Sequence, residues 1–178
     1  FNPLAPPLPF MHPSVGTFDY QNDGDLDLVV GEQLGNVHLV LNEGTPTDPR
    51  FTYVEYENNP FRDIVLGDTY GKPAFTDFDG DGDEDFFIGT GSGGQIRYFT
   101  NDNGTFVEQL QPWGTPGELT GNPMRKTGYF PPGFATVTPV DINNDGHIDI
   151  VLSSEGDVSR VFRNDGTGNL FAHTTTGE

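Results

Sequence analysis

The sequence predicts an all-β protein made of three copies of a four-stranded antiparallel unit, each with an acidic loop between its first two strands. Three observations lead to this reading. An acidic stretch followed by an apolar run occurs three times, beginning at Asp19, Asp77 and Asp141, 58 residues apart (19 to 77) and 64 apart (77 to 141). Each occurrence is followed by two further short apolar runs separated by Asn/Gly turns, and preceded by one; strand runs bounded by turn residues carry this signature. No window holds a 3.6-residue apolar period over helix length.

The elements follow in order. Residues 1–13 hold five prolines, at positions 3, 6, 7, 9 and 13, and read as an extended polyproline-type arm. The first unit spans 14–58, the second 59–111 and the third 134–178, with an insertion at 112–133. The strand before each loop is read at Ser14 to Phe18, Ala74 to Phe78 and Phe134 to Val140, and the one after it begins at Asp27, Asp85 and Asp149. The third runs are Asn36 to Leu41, Gln95 to Thr100 and Val158 to Arg163; the fourth are Phe51 to Tyr56, Phe106 to Gln111 and Leu170 to Thr174. Four antiparallel strands per repeat make a β-propeller-type blade. One such sheet cannot bury both of its faces alone, so blades stack. Closed propellers have about 4–8 blades; with three read here, the expectation is that other copies or neighbouring blades of a longer chain cover the outer faces.

Composition narrows the function. The 178 residues include 27 acidic and 8 basic ones, for a net charge of −19. That excludes a nucleic-acid partner, which needs a cationic face, and electrostatic binding to anionic lipid. The 15 Phe, 6 Tyr and one Trp lie in regular runs, which argues against disorder. With no cysteine, disulfides, thiolate zinc sites and cysteine nucleophiles are excluded. No stretch of about 18 apolar residues is present, so no membrane-inserting span is expected. No basic-then-apolar leader opens the chain, and it begins at Phe1 rather than Met, as a processed or trimmed chain would.

The acidic loops carry the chemistry. Asp77, Asp79, Asp81 and Asp85 occupy positions 1, 3, 5 and 9 of a nine-residue loop. Alternate side chains at 1, 3 and 5 can turn inward as the chain curls, Gly82 at position 6 permits the reversal, and Asp83 at position 7 offers a backbone carbonyl. Such an oxygen-only cage suits Ca²⁺, which takes about 6–8 oxygens at ~2.3–2.6 Å; Mg²⁺ demands tighter octahedral geometry. The same positions are filled by Asp19, Gln21, Asp23, Asp25 (carbonyl) and Asp27 in unit 1, and by Asp141, Asn143, Asp145, His147 (carbonyl) and Asp149 in unit 3. About three Ca²⁺ per chain are expected, with Gln21, long and uncharged, marking the weakest or a water-mediated site. An EF-hand is excluded: it requires a bidentate Glu at position 12 and flanking helices, whereas position 12 is Val30, Ile88 and Leu152.

The run Asp77-Phe-Asp-Gly-Asp-Gly-Asp-Glu-Asp followed by Phe86-Phe87-Ile88-Gly89, its sister runs, Asn59-Pro60-Phe61 and Lys72-Pro73-Ala74-Phe75-Thr76 resemble the FG-GAP/VCBS repeat family, the calcium-bearing blades of integrin α-subunit propellers and many surface proteins. The resemblance covers roughly residues 10 to 174. It implies a Ca²⁺ loop between the first two strands of each blade and an extracellular role in adhesion, recognition or structure. The third unit is a looser match, because Leu152 is followed by Ser153-Ser154 rather than Gly.

Other signals are weaker. Gly89-Thr-Gly-Ser-Gly-Gly94 has dinucleotide-motif spacing, but a strand follows it rather than a helix, so it reads as a turn. His12, His38, His147 and His173 lack metal-ligand spacing, and no catalytic constellation is recognisable, so no enzyme is expected. Asn103-Gly104-Thr105 is a candidate N-glycosylation site. Trp113, Tyr129 and Phe130, in the insertion, form a candidate ligand face for glycan or another surface protein. The sequence therefore predicts a non-enzymatic, secreted calcium-binding repeat protein acting as a structural or adhesive module, self-associating or packing on neighbouring repeats; the alternative is a propeller-type lectin.

Overall fold

A computed structural model describes residues 10–67, 71–91, 95–110, 121–127 and 133–172. It contains three four-stranded antiparallel sheets. Sheet 1 is β1 (Ser14–Phe18), β2 (Asp27–Gly31), β3 (Val37–Asn42) and β4 (Phe51–Tyr53); sheet 2 is β5 (Pro73–Thr76), β6 (Asp85–Gly89), β7 (Ile96–Asp102) and β8 (Thr105–Glu108). Sheet 3 is β9 (Ala135–Val140), β10 (Asp149–Ser154), β11 (Arg160–Asn164) and β12 (Leu170–Ala172). In every sheet the spatial order follows the chain, so each unit is an up-and-down meander. Among the described residues, helix is confined to a 3₁₀ turn at Tyr56–Asn58 and to α1 (Pro123–Lys126).

The strands lie where the apolar runs predict, with instructive differences at their ends. β4 stops at Tyr53, where the sequence run continues to Tyr56, because the chain turns into the 3₁₀ segment. β7 extends past Thr100 to Asp102, which pairs with Thr105 across a two-residue turn, Asn103-Gly104, with φ of 50° and 87°. Two left-handed residues match the strand twist, and Asn-Gly suits both positions. Thr174, the expected end of the last run, lies outside the described residues.

Burial follows position in the sheet. β6 is buried throughout, which accounts for its unbroken Phe86-Phe87-Ile88 run: this strand is central and covered on both faces. One core lies between sheets 1 and 2, where Val29, Val37 and Leu39 meet Phe86, Ile88 and Phe99 around Phe61. A second lies between sheets 2 and 3, where Phe87, Ile96 and Tyr98 meet Val137, Ile150, Leu152 and Phe162 around Met124. Aromatic stacking reinforces the first core: Phe18 and Phe75 lie 4.6 Å apart and nearly parallel, and Phe75 continues onto Phe86 at 5.0 Å. Truncating one such ring to Ala costs about 3–5 kcal/mol in a packed core.

Two connectors repeat. Asn59 donates from its side chain to Val37 O (2.7 Å) and accepts from Phe61 N–H (3.0 Å). Asn122 does the same with Ile96 O (2.9 Å) and Met124 N–H (3.0 Å). Both asparagines are buried, as are Phe61 and Met124, which plug the two cores. Met124, within the 112–133 insertion, therefore belongs to the interior. His12 and Met11 of the proline-rich arm hydrogen-bond Gln33, and Phe10 packs its ring 4.7 Å from that of His38. Residues 1–9 of the arm lie outside the described residues.

Candidate metal centres

Each acidic loop joins the first two strands of its sheet and is shaped by its own carboxylates. The position-1 carboxylate folds over the loop and accepts backbone N–H groups from the residues ahead. Asp19 takes Asp23 and Gly24 (3.1 and 2.8 Å), Asp77 takes Gly80 and Gly82 (2.8 and 3.2 Å), and Asp141 takes Asp145 and Gly146 (3.1 and 2.9 Å). The position-5 carboxylate accepts from position 7 in all three loops, at 3.0 Å in each. The expected glycine at position 6 has positive φ in every copy (Gly24 90°, Gly82 102°, Gly146 87°). Position 4 is also left-handed (Asn22 54°, Gly80 81°, Asn144 57°). The sequence signal for that second reversal is the Asn/Gly choice at position 4, since these residues tolerate the conformation best.

In unit 2 the curl brings Asp77, Asp79 and Asp81 together, with one oxygen from each lying within 4.8 Å of the others. Two oxygens bound to the same Ca²⁺ at ~2.3–2.6 Å stand no more than about 5 Å apart, so this triad fits a Ca²⁺ ion. Burial, then repulsion from Asp81, holds the Asp79 carboxyl above its usual range, and Asp77 adds to it; a bound cation removes such repulsion. Among the described residues this is the one acidic triad with so close a spacing. Unit 1 has Gln21 where unit 2 has Asp79. Burial, followed by repulsion from Asp23 and Asp19, pushes the Asp25 carboxyl up. In unit 3 the Asn143 amide donates to Asp145 (2.5 Å), and Arg163 lies 3.7 Å from the same carboxylate. The Asn143 hydrogen bond is the main reason Asp145 ionises more readily than usual.

The position-9 aspartates are buried staples. Asp27, Asp85 and Asp149 are 0–1% exposed. Each accepts from the position-2 N–H through one oxygen: Tyr20 at 2.9 Å, Phe78 at 3.1 Å and Ile142 at 3.2 Å. The other oxygen accepts the N–H of the asparagine on the third strand: Asn42 at 2.6 Å, Asn101 at 3.0 Å and Asn164 at 2.7 Å. One carboxylate thus fixes loop, second strand and third strand together. In unit 2 the Tyr98 hydroxyl also donates to Asp85 (2.5 Å). Burial pushes the Asp85 carboxyl up to about 7, against the lowering effect of these hydrogen bonds. Asp85 is not one of the close triad around Asp77.

The partner asparagines form a repeated feature that the sequence reading takes only as turn residues. Buried Asn42, Asn101 and Asn164 each accept N–H groups of the following turn, from Gly44 and Arg50, from Gly104, and from Gly166 and Gly168. Asn101 and Asn164 also donate back to the carbonyls of Glu84 and Ile148 (3.1 Å each). The signal was available: an Asn stands 15 or 16 residues after each position-9 Asp (27 to 42, 85 to 101, 149 to 164). Position 7 is more than a carbonyl donor. The Asp83 side chain accepts from Asn103 N–H (2.9 Å), and the His147 ring packs over the turn glycine Gly166. Asn103 itself is exposed at its hairpin tip. Trp113, Tyr129, Phe130 and His173 lie outside the described residues.

A polar cleft of about 530 Å³ separates the loops of units 1 and 2, lined by Asp19, Gln21 and Asn22 on one side and by Asp83, Glu84 and Asn103 on the other. With loops, staples and stacked sheets in view, the sequence comparison is decisive: residues 19–88 match the family model described as an FG-GAP-like repeat. This stretch is an FG-GAP-like repeat. The match spans the first two acidic loops and the Asn59-Pro60-Phe61 connector. It marks a repeat module of the integrin-like kind, in which loops of this type often bind Ca²⁺. No curated protein matches the chain.

Proposed function

We propose that this chain is a non-enzymatic, extracellular calcium-binding repeat protein whose three sheets are β-propeller-type blades, and that it serves as a structural or adhesive module assembling with other copies or neighbouring repeats. The observation that carries this reading is the convergence of Asp77, Asp79 and Asp81 within a loop whose backbone pattern recurs in all three units. Asp19, Gln21 and Asp23 hold the ion in unit 1, and Asp141, Asn143 and Asp145 in unit 3, with position 7 adding its carbonyl and Asp27, Asp85 and Asp149 bracing each cage from the second strand. Ca²⁺ bound to the folded state alone stabilises it by mass action, by about 2.7 kcal/mol per site at 100 times the dissociation constant. FG-GAP-like repeats are typically extracellular, where calcium is abundant. Among the described residues no helix is long and apolar enough to cross a membrane, a statement that does not extend to β-barrels.

The assembly part is tested by sedimentation velocity over a range of protein concentrations, in Ca²⁺ and in EDTA. Reversible growth in mass with Ca²⁺ supports it; a strictly monomeric protein at high concentration counts against it. Carbohydrate binding is the second reading, and the cleft between the first two loops favours it, since its amide and carboxylate oxygens suit sugar hydroxyls. A broad glycan array with no saturable signal would sink that alternative.

A further inference from the structure

The two internal junctions show what allows one sheet to stack on the next. Gly31, at the end of β2, pairs with Val37, and Gly89, at the end of β6, pairs with Ile96. A Cβ placed on Gly31 would lie 2.0 Å from the carbonyl oxygen of Gly71, and one on Gly89 would lie 1.9 Å from that of Ala135. Those carbonyls belong to the chain entering the next sheet, so its backbone occupies the volume a side chain would take. The neighbouring pairs on the same faces, Val29 with Leu39 and Phe87 with Tyr98, are 0–1% exposed because the next sheet covers them.

Sheet 3 presents the equivalent positions without the glycine. Val151 pairs with Val161, corresponding to Val29/Leu39 and Phe87/Tyr98, and both are only half-buried. At the glycine position stands Ser153, exposed, its hydroxyl 2.9 Å from that of Ser159, which takes the place of Val37 and Ile96. A carbonyl arriving as at Gly31 or Gly89, 1.9–2.0 Å from the Cβ position, would lie far inside van der Waals contact with the Ser153 Cβ, so a further sheet would have to stand off. A radial gap of even ~0.5–1 Å forfeits about a quarter to a half of each van der Waals contact. The serine pair also puts two hydroxyls, hydrogen-bonded to one another, where the other sheets have glycine and an aliphatic side chain.

We infer that Ser153 closes the outer face of sheet 3 to a further sheet of this kind, whether from the same chain or from a second copy. A partner that stacks sheet on sheet must use a different face of the protein. This inference narrows the assembly proposed above and is independent of calcium occupancy.

The test places valine at the three equivalent positions in the full chain, in Ca²⁺, at the highest concentration at which the wild type is soluble. Thermal unfolding and sedimentation velocity are then recorded for each variant. Gly31→Val and Gly89→Val are expected to lose at least roughly 4–10 °C or fail to fold, with Gly31→Ala and Gly89→Ala as milder versions that show the same sign. Ser153→Val is expected to stay within ~2 °C of the wild type with an unchanged mass distribution, since a β-branched residue suits an exposed strand position. A loss at Ser153→Val comparable to that of Gly89→Ala, or dissociation of a wild-type oligomer by Ser153→Val, would show a sheet packed on this face and overturn the inference. Full tolerance of Gly89→Ala would overturn it as well, because the close approach would then not decide stacking.

Discussion

Tyr98→Phe isolates one hydrogen bond at the centre of the molecule. The ring of Tyr98 is fully buried in the core between sheets 2 and 3, and its hydroxyl donates to Asp85 at 2.5 Å. The phenylalanine ring keeps the packing and removes only the donor. A hydrogen bond to a charged group contributes about 1.5–3 kcal/mol, and one between neutral groups about 0.5–1.5 kcal/mol. The loss therefore depends on whether Asp85 is ionised. Its folded-state value is raised to about 7, well above that of an unfolded-state aspartate. Between about pH 4 and 7 the unfolded chain has released this proton and the folded one still holds it, so metal-free stability falls as pH rises, by about 1.4 kcal/mol per unit. Removing the Tyr98 donor raises the folded value further and extends the fall to higher pH. In EDTA at pH 8, Tyr98→Phe should lose about 1.5–3 kcal/mol, or roughly 4–10 °C. At pH 5.5, where Asp85 is neutral in both proteins, the loss should shrink to about 0.5–1.5 kcal/mol. Urea denaturation at the two pH values measures both. Equal losses at the two values, or none at pH 8, would refute the role assigned to this pair.

Two further predictions concern buried polar groups. Asn122→Ala leaves the Ile96 carbonyl and the Met124 N–H without their side-chain partner, and should cost about 1–3 kcal/mol in urea denaturation, as should Asn59→Ala at the equivalent connector; a near-neutral result at either site would remove the claim that the two connectors are equivalent. His38 is held below the ordinary histidine range by burial, against the opposing pull of Glu32, 3.6 Å away, with the Tyr53 hydroxyl at 3.2 Å on its other nitrogen. A depressed folded value means its contribution is present above the unfolded value near ~6.5 and is lost as pH falls through the folded one, so wild type should lose more stability than His38→Gln between pH 7 and 5, and parallel curves would contradict this.

Much of the fold was legible because its signals are local. The Asp-rich loops are punctuated at fixed offsets, and the strands beside them are short apolar runs bounded by Asn and Gly. The alternation of positions 1, 3 and 5 and the glycine at 6 follow from the geometry of wrapping a chain around an ion, and the backbone has those reversals. What escaped is long-range. That Asp85 ties the loop amide of Phe78 to the strand amide of Asn101 depends on where Asn101 N–H comes to rest, 16 residues away (85 to 101). The Asn122-Pro123-Met124 connector repeats Asn59-Pro60-Phe61 in structure, but its flanking sequence disguises the match. The departure at Ser153 was visible as a missing glycine; only the carbonyls beside Gly31 and Gly89 give it a meaning.

The measurement closest to the central claim is thermal unfolding of the wild type in millimolar Ca²⁺ and in excess EDTA, with bound calcium counted on the same sample. Three occupied sites at 100-fold over their dissociation constants would contribute about 2.7 kcal/mol each, comparable together with the ~5–15 kcal/mol that holds a typical domain folded. The account predicts close to three ions per chain and a large fall in melting temperature in EDTA. No bound calcium, and a melting temperature indifferent to EDTA, would contradict it and leave the three loops as turns held by their own hydrogen bonds.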